Sequence, residues 1–272
     1  MTERPRRNKA YQNPGFLNSK SARELRILSE YLEPKSRFDR HRVEDTIVFM
    51  GSARILSREA AAELLKAAQA GSGDLQEAKT ALQMSVYYEA ARELAHRLTG
   101  WSKGLAREEK RFVVCTGGGP GIMEAASRGA AEAHGINVGL TISLPKESEE
   151  FENPYVTRGL DVHFHYFFMR KFRFLYLAKA IVVFPGGYGT LDELFEVLTL
   201  VQTRKLRKSL PVVLFGSEFW SKVIDFDALA EHGTISPADV DLVFRTDSVD
   251  EAYDWIVLQL AEKALGEPGA ML

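Results

Sequence analysis

The sequence predicts an α/β fold in which helices cover both faces of a doubly wound parallel sheet. From Asp45 onward, short apolar runs alternate with longer amphipathic stretches, the order typical of strands alternating with helices. The runs, such as "TIVFM" and "AKAIVV", are almost purely apolar, as expected of parallel strands that are buried on both faces. We therefore predict one Rossmann-like domain over 45–272, preceded by an N-terminal arm and accessory helix over 1–44.

The first predicted helix covers 21–34 and packs on the main domain. Ser21 is a suitable N-cap residue and Pro34 a suitable stop, because proline cannot donate a helical hydrogen bond. Three leucines recur at helical spacing and would form its apolar face: Leu25, Leu28 and Leu32.

The remaining elements follow in strict alternation after the first strand and two helices. Strands are predicted at 46–53, 111–121, 137–145, 162–167, 180–187, 211–217 and 242–247. Helices are predicted at 57–70, 78–99, 122–135, 168–180, 190–205, 219–231 and 248–265. The flexible "AGSGD" separates the first two of these helices, and Gly135 closes the third.

Composition excludes several classes of function. The formal net charge of -2 provides no basic field for nucleic acid or an anionic membrane. The single cysteine, Cys115, excludes an intrachain disulfide and lies in the apolar "RFVVCT", which favours a buried, inert thiol. No apolar run approaches the roughly 20 residues that span a bilayer, and the basic N-terminus lacks the apolar core of a secretory signal. We expect a cytoplasmic protein.

Three glycine-bearing turns follow predicted strands: "GSAR" (51–54), "TGGGPG" (116–121) and "PGGYGT" (185–190). In doubly wound sheets, ligands bind beyond the carboxyl ends of the strands, so these turns should converge on one crevice. None fits a dinucleotide fingerprint or a P-loop. What remains is a capacity to bind phosphate on backbone amides, to which the Thr190 hydroxyl can add.

Charged residues accompany the third turn, and each has two interpretations. Glu193 could complete a capping box with Thr190, worth about 1 kcal/mol, or it could act on a ligand. Arg170 and Lys171 begin the preceding helix and should lie at the same sheet edge, either as solvated cations or as partners of Glu193. A fixed guanidinium would keep that acid ionised and could also bind a ribose or phosphate oxygen.

Two further patterns lie just before these residues. "HYFFMRKFRF" has aromatic residues on nearly every face, which favours packing against a second subunit over binding of nucleic acid. His163 and His165 share one strand face, but an H-x-H pair without further ligands is weak evidence of a metal.

"FMRK" followed by "FPGGYGTLDE" resembles the signature of the LONELY GUY family, R-K and then P-G-G-x-G-T-x-x-E. These proteins were long described as lysine decarboxylases. The similarity covers roughly 45–235 and includes "GSAR" and "GGGPGIMEAA". It implies a modified Rossmann fold that forms a homodimer or a higher homo-oligomer. It also implies a phosphoribohydrolase that cuts the N-glycosidic bond of a nucleoside 5′-monophosphate without a metal or cofactor.

The resemblance assigns roles residue by residue. Arg170 and Glu193 would be the catalytic pair. The expected substrate-binding residues are Lys171, Gly186, Gly187, Tyr188, Gly189, Thr190, Gly118, Gly119, Ser52, Arg54 and Glu147. The chain departs from compact plant members by its N-terminal arm, by an insertion at 72–110 and by aromatic residues before the R-K pair. The preferred base, adenine or a cytokinin, therefore stays open.

The chemistry expected of such a site is an oxocarbenium-like transition state stabilised by the Glu193 carboxylate, which also orients or deprotonates water. The departing base needs a proton, and no general acid stands out in the sequence. The alternative function is a non-catalytic carrier of a phosphorylated cofactor, as in molybdenum cofactor carrier proteins. Glu193 beside Arg170 favours the enzyme, because an anion next to a phosphate ester brings a carrier no benefit. A pyridoxal-phosphate decarboxylase is unsupported, since no lysine has a recognisable Schiff-base setting.

Overall fold

Seven parallel strands form one sheet in the order β4-β3-β2-β1-β5-β6-β7. A computed structural model describes residues 9–105, 109–143, 151–206 and 208–269. The strands are Thr46–Met50 (β1), Val113–Thr116 (β2), Asn137–Ile142 (β3), Asp161–Phe164 (β4), Ala178–Val183 (β5), Val212–Phe215 (β6) and Val243–Thr246 (β7). The α/β fold class expected from the sequence is confirmed.

The helices are Pro14–Leu17 (α1), Arg23–His41 (α2), Arg58–Gln69 (α3), Leu75–Lys103 (α4), Ile122–Glu132 (α5), Phe167–Tyr176 (α6), Tyr188–Gln202 (α7), Ser217–Val223 (α8), Phe226–Glu231 (α9) and Val249–Lys263 (α10). Short 3₁₀ turns lie at Ala10–Gln12, Lys20–Ala22 and Pro237–Leu242. The helix predicted at 168–180 ends early, because 178–180 pair with β1 as part of β5. The helix predicted at 219–231 is two helices, α8 and α9.

Alternate residues of β1 face two separate layers of the core. Ile47 and Phe49 pack with α4, α5 and α10, whereas Val48 and Met50 pack with α6 and α7. The segment at 72–110 mostly forms α4, which lies along α5 and buries its side chains in the first layer. It is therefore an integral part of that layer.

Two expectations about single features can be compared with the structure directly. Cys115 on β2 is buried, as predicted, and burial raises the pKa of its thiol. In the portion of the chain that the structure describes, no helix combines the length and hydropathy that a bilayer crossing requires.

The winding direction reverses between β1 and β5. The chain runs outward from β1 through β2, β3 and β4, then returns to place β5 on the other side of β1. The chain therefore continues from β1 to one face of the sheet and from β5 to the other, which leaves a crevice at the carboxyl ends of these two strands.

Helix α2 is longer than predicted and packs through a different face. Its N-cap is Ala22 rather than Ser21, and Pro34 lies inside it rather than at its end. Pro34 lacks only one helical hydrogen bond, and Phe38, one turn further on, is 2% exposed within the core. Burial of that ring offsets the missing bond. The predicted packing face was wrong, because its leucines are about half exposed: Leu25 (46%), Leu28 (51%) and Leu32 (50%).

A buried charge cluster lies at the opposite end of the sheet from the crevice. Asp45 is fully buried and pairs with Arg111, while the Lys179 ammonium lies 3.8 Å from its other oxygen. The two cations also donate to carbonyl groups of the C-terminal segment, at Ala264 (2.8 Å) and Glu267 (2.7 Å). The cluster thus fixes the end of the chain beneath the sheet.

Candidate active site

Hydrogen bonds between the three glycine-bearing turns join them into one floor. The Ser52 N–H donates to the Pro185 carbonyl (3.0 Å), and the Ile122 N–H donates to the Ser52 carbonyl (3.1 Å). Gly121 has a φ of +70°, and a Cβ there would collide with the Ser52 carbonyl. Only glycine allows this close approach, so the second turn needs it to reach the first.

A cavity of about 570 Å³ opens above this floor. Its volume is typical of a site for a small organic ligand. Most of the expected site residues line it, namely Ser52, Arg54, Arg170, Gly187, Tyr188, Gly189, Thr190 and Glu193. Met123 and Phe174 add an apolar wall that the sequence did not single out, because both resemble ordinary core residues.

Helix α7 points its N-terminus into the cavity. It begins at Tyr188 with Gly187 as N-cap, and no side chain of the described residues caps it. Thr190 is the third residue of the helix and Glu193 the sixth, so the capping-box interpretation is wrong. The first-turn N–H groups have no partner within the helix, and together with the helix dipole they favour an anion.

Glu193 is a buried carboxylate at the base of the cavity. Its side chain is 9% exposed, and its Oε1 lies 3.7 Å from the Arg170 Nη2. Burial raises the pKa of Glu193 to about 7, and the nearby Arg170 lowers it only in part. The expectation that the guanidinium would simply keep the acid ionised therefore needs correction. The carboxyl is poised to exchange a proton near neutral pH, which is the range that suits a general base.

Arg170 is held in place by aromatic rings. Its guanidinium lies 5.2 Å from the centre of the Phe167 ring and 5.6 Å from that of Phe174. Burial lowers the pKa of Arg170, and its Nε atom is buried without a hydrogen-bond partner among the described residues. A buried donor of this kind is costly unless a ligand satisfies it.

Both ends of α6, the helix that carries Arg170, are held by charged side chains from distant parts of the chain. At its start the Glu30 carboxylate on α2 accepts from the N–H groups of His165 (2.8 Å) and Tyr166 (3.1 Å). At its end the Lys208 ammonium donates to two carbonyl groups of the last turn (2.6 and 3.1 Å). Burial lowers the pKa of Lys208 to about 8. Sequence reasoning missed both residues, because neither belongs to a local motif.

Four of the expected site residues that the structure describes do not line this cavity: Lys171, Gly118, Gly186 and Gly119. The Lys171 ammonium pairs with Asp192 and Glu196, both at 2.9 Å. Gly118, with a φ of +69°, shapes the second turn, and Gly186 lies behind Thr190. Glu147 falls outside the described residues.

Gly119 and the two strand histidines lie to one side of the crevice. Gly119 and His163 line a neighbouring cavity, whereas the His165 ring packs edge-on against Tyr166. Within the described ranges, no group of three or more His, Cys, Asp or Glu residues comes together as a metal site.

Residues 123–256 match the family model described as "Possible lysine decarboxylase". The cytokinin riboside 5′-monophosphate phosphoribohydrolase LOG7 of Arabidopsis thaliana is 29% identical over 153 residues. LOG1 of the same plant, with the same named activity, is 31% identical over 143 residues, which are 51% of this chain and 64% of that protein. The chain is thus similar to proteins of the LONELY GUY family, and the family model covers just under half of it.

The family similarity extends to a bacterial enzyme. The pyrimidine/purine nucleotide 5′-monophosphate nucleosidase of Escherichia coli K12 is 33% identical to this chain over 114 residues. The alignments cover 56% of the chain and 64% of LOG7, but 38% of the chain and only 24% of the nucleosidase. The family model includes α6 and α7 with Arg170 and Glu193, whereas the turn after β1 lies before it.

Among solved structures, the molybdenum cofactor binding protein of Rippkaea orientalis has a TM-score of 0.47 and 16% identity to this chain. The alignment covers 79% of this chain and 96% of that one. A likeness at this level says nothing about what the chain binds.

Proposed function

We propose that this protein is a nucleoside 5′-monophosphate phosphoribohydrolase, which uses water to cut the N-glycosidic bond and releases a free base and ribose 5-phosphate. The observation that carries the proposal is the buried Glu193–Arg170 pair at the base of a cavity whose neighbouring wall is an uncapped helix N-terminus. Glu193 acts as the general base, and the start of α7 binds the phosphate.

The 5′-phosphate would lie at the start of α7. The first-turn amides and the Thr190 hydroxyl are donors there, and Arg54 adds a positive charge to the same cavity. Binding of the phosphate fixes the position of the sugar. The binding energy of a group remote from the reacting bond can then lower the barrier to breaking that bond.

The bond to the base breaks as positive charge develops on C1′ and O4′ of the ribose. An ionised Glu193 beside the sugar stabilises that charge and takes a proton from the attacking water. Arg170 aligns this carboxylate, and its unpaired Nε donates to an oxygen of the sugar or the phosphate.

The names of the relatives support this class of substrate and indicate which bases it can carry. The plant proteins are named for cytokinin riboside monophosphates and the bacterial one for purine and pyrimidine nucleotides. We propose adenine or a cytokinin as the base released by this protein.

The proposal is tested by incubating the purified protein with AMP, GMP, CMP and isopentenyl-AMP and measuring free base and ribose 5-phosphate. Release of both products from at least one nucleotide is expected. Tight binding without release would favour the carrier function instead, and neither binding nor release would overturn both.

A first variant tests whether Glu30 fixes the start of α6. Glu30→Gln replaces two charge-assisted hydrogen bonds at the helix start with at most one neutral bond, a loss of about 1 kcal/mol. Arg170 is then held less firmly, and kcat is expected to fall about five- to tenfold. Steady-state kinetics with AMP measure this. Glu24→Gln, which removes an exposed carboxylate from the same helix, is the control. Equal kcat values for the two variants would contradict the role of Glu30.

A second variant tests the proposed phosphate-binding site at the start of α7. A Cβ at Gly186 would collide with the Thr190 side chain, whereas a Cβ at Gly189 meets nothing within 4 Å. Gly186→Ala should therefore displace the threonine hydroxyl and raise KM for AMP about tenfold, the equivalent of one charge-assisted hydrogen bond. Gly189→Ala should leave KM within about twofold. A similar KM for both variants would argue against Thr190 as a phosphate ligand.

We also propose that the protein forms a homodimer or a higher homo-oligomer and is cytoplasmic. Helices α2 and α6 pack together and leave Leu28, Leu32, Phe167 and Phe168 about half exposed, which supports a second subunit on this surface. Light scattering of wild type and of Leu28→Glu tests the assembly, since the charged variant should dissociate. A monomeric wild-type protein would contradict it.

A further inference from the structure

A second cavity of about 630 Å³ adjoins the first on the side of β3 and β4. The two cavities share the residues of their common border, which include Gly117, Met123 and Arg170. Arg170 thus lies between the two spaces, with Glu193 in one and His163 in the other.

A catalytic role for the second cavity rests on the proposed function, which fixes where the phosphate and the sugar of the nucleotide lie. The phosphate lies at the start of α7 in the first cavity, and Arg170 with Glu193 flank the sugar. A base attached to the far side of that sugar extends past Arg170 into the second cavity, where it faces His163.

His163 sits between two hydroxyl groups because of the strand register. Thr141 on β3 is its direct partner on β4, and Ser143 follows Thr141 on the same side. The Thr141 Oγ1 lies 2.9 Å from Nδ1 of the imidazole, and the Ser143 Oγ lies 2.7 Å from Nε2.

Each hydroxyl also has a backbone carbonyl within reach, at 3.3 Å from Thr141 and 3.4 Å from Ser143. When the imidazole is protonated, both hydroxyls accept from it and turn their own hydrogens to the carbonyls. When it is neutral, one hydroxyl rotates and donates to the bare nitrogen. Rotation of a hydroxyl thus satisfies the ring in both protonation states, as a group that delivers a proton requires.

We propose that His163 is the proton donor to the departing base. As the bond from C1′ to the base nitrogen breaks, its electron pair moves into the base. The imidazolium then gives its Nδ1 proton to the Thr141 hydroxyl, which lines the same cavity and passes its own proton to a ring nitrogen of the base, such as N7 of a purine. Glu193 takes one proton from the attacking water, whose oxygen bonds to C1′. Exchange with solvent afterwards returns the proton of Glu193 and reprotonates His163, so the step balances.

The test uses the leaving group. His163→Asn is expected to lower kcat on AMP and GMP about 100-fold, the lower end of general acid catalysis. On N7-methylguanosine 5′-monophosphate, whose base departs without needing that proton, kcat should stay within about twofold of wild type. The control is His165→Asn, the same substitution two residues further along the chain, at a ring that packs against Tyr166 and does not line the cavity. It should leave kcat on all three nucleotides within about twofold of wild type.

A second measurement covers the case in which the methylated nucleotide is not a substrate. Free imidazole should restore turnover of AMP by His163→Ala at least tenfold and leave wild type unchanged. The proposal would be overturned if His163→Asn had an unchanged kcat on AMP, or lost as much activity on N7-methylguanosine 5′-monophosphate as on GMP. Failure of imidazole to restore turnover by His163→Ala would also overturn it. A wild-type protein that cleaves no nucleotide would instead refute the proposed function itself.

Discussion

Replacement of Glu193 by glutamine is expected to lower base release from AMP by a factor of about 10²–10⁴, the range for loss of a general base. Glutamine has the same shape but cannot take a proton from water or carry the negative charge that stabilises the oxocarbenium-like sugar. Binding of AMP should persist, because the phosphate seat on α7 is unchanged. Initial rates of ribose 5-phosphate release, together with calorimetric titration of AMP, measure the two quantities.

The control for this variant is Asp192→Asn. Asp192 precedes Glu193 but is 60% exposed and does not line the cavity, and its partner Lys171 keeps a second carboxylate at Glu196. A comparable loss in both variants would indicate a general effect of charge. Full activity in Glu193→Gln would refute the mechanism.

The raised pKa of Glu193 predicts the pH dependence of the reaction. The carboxyl must be ionised to act, so on the acidic side kcat/KM should fall about tenfold per pH unit below pH 7. A carboxyl with a raised pKa binds its proton more tightly in the folded than in the unfolded state. The wild type should therefore lose stability relative to Glu193→Gln as the pH rises from about 4.5 to 7, by up to about 3 kcal/mol. Urea unfolding at pH 5 and pH 8 measures this, and a constant difference would contradict the raised pKa.

Replacement of Asp45 by asparagine is expected to lower the free energy of unfolding by about 3–5 kcal/mol. The variant leaves Arg111 and Lys179 buried next to each other with no carboxylate between them. It also weakens the hydrogen bond that Asp45 accepts from the Gly269 N–H (3.0 Å), so the C-terminal segment should loosen. Urea unfolding measures the loss, which is a large part of the roughly 5–15 kcal/mol typical of a folded domain.

An exposed ion pair provides the comparison for Asp45. Lys35 and Asp39 are 2.7 Å apart but more than half exposed, so Asp39→Asn should leave the urea concentration at the midpoint of unfolding close to that of wild type. If both variants unfolded at the same urea concentration, the buried cluster would contribute nothing beyond a surface pair.

All seven strands could be predicted from the sequence because each is short and bounded by a turn, and most are apolar, although β4 and β7 also carry exposed polar residues. The ends of the helices were harder to predict. α2 runs past Pro34 because Phe38 is buried four residues later, and no local pattern reveals that burial. α7 starts two residues before Thr190 because Gly187 is its N-cap, although "TLDE" is typical of a capping box.

The site itself was predictable only where a motif marked it. Arg170, Glu193 and the glycine turn were found by their spacing, and the parallel order of the strands explains why the turns meet. Glu30 and His163 carry no motif. The contact of Glu30 joins residues 135 positions apart, and His163 acquires its hydroxyl partners only through the register of β3 and β4.

The reversal of strand order beside β1 also shapes how the chain is made on the ribosome. When residues up to β4 have emerged, β1 can pair with β2, but its other edge stays open until β5 at Ala178–Val183 is synthesised. An open apolar strand edge in a half-made sheet invites pairing with other nascent chains. The edge of β1 that borders the crevice thus stays unpaired while three other strands are synthesised, and slower translation before β5 would prolong that exposure.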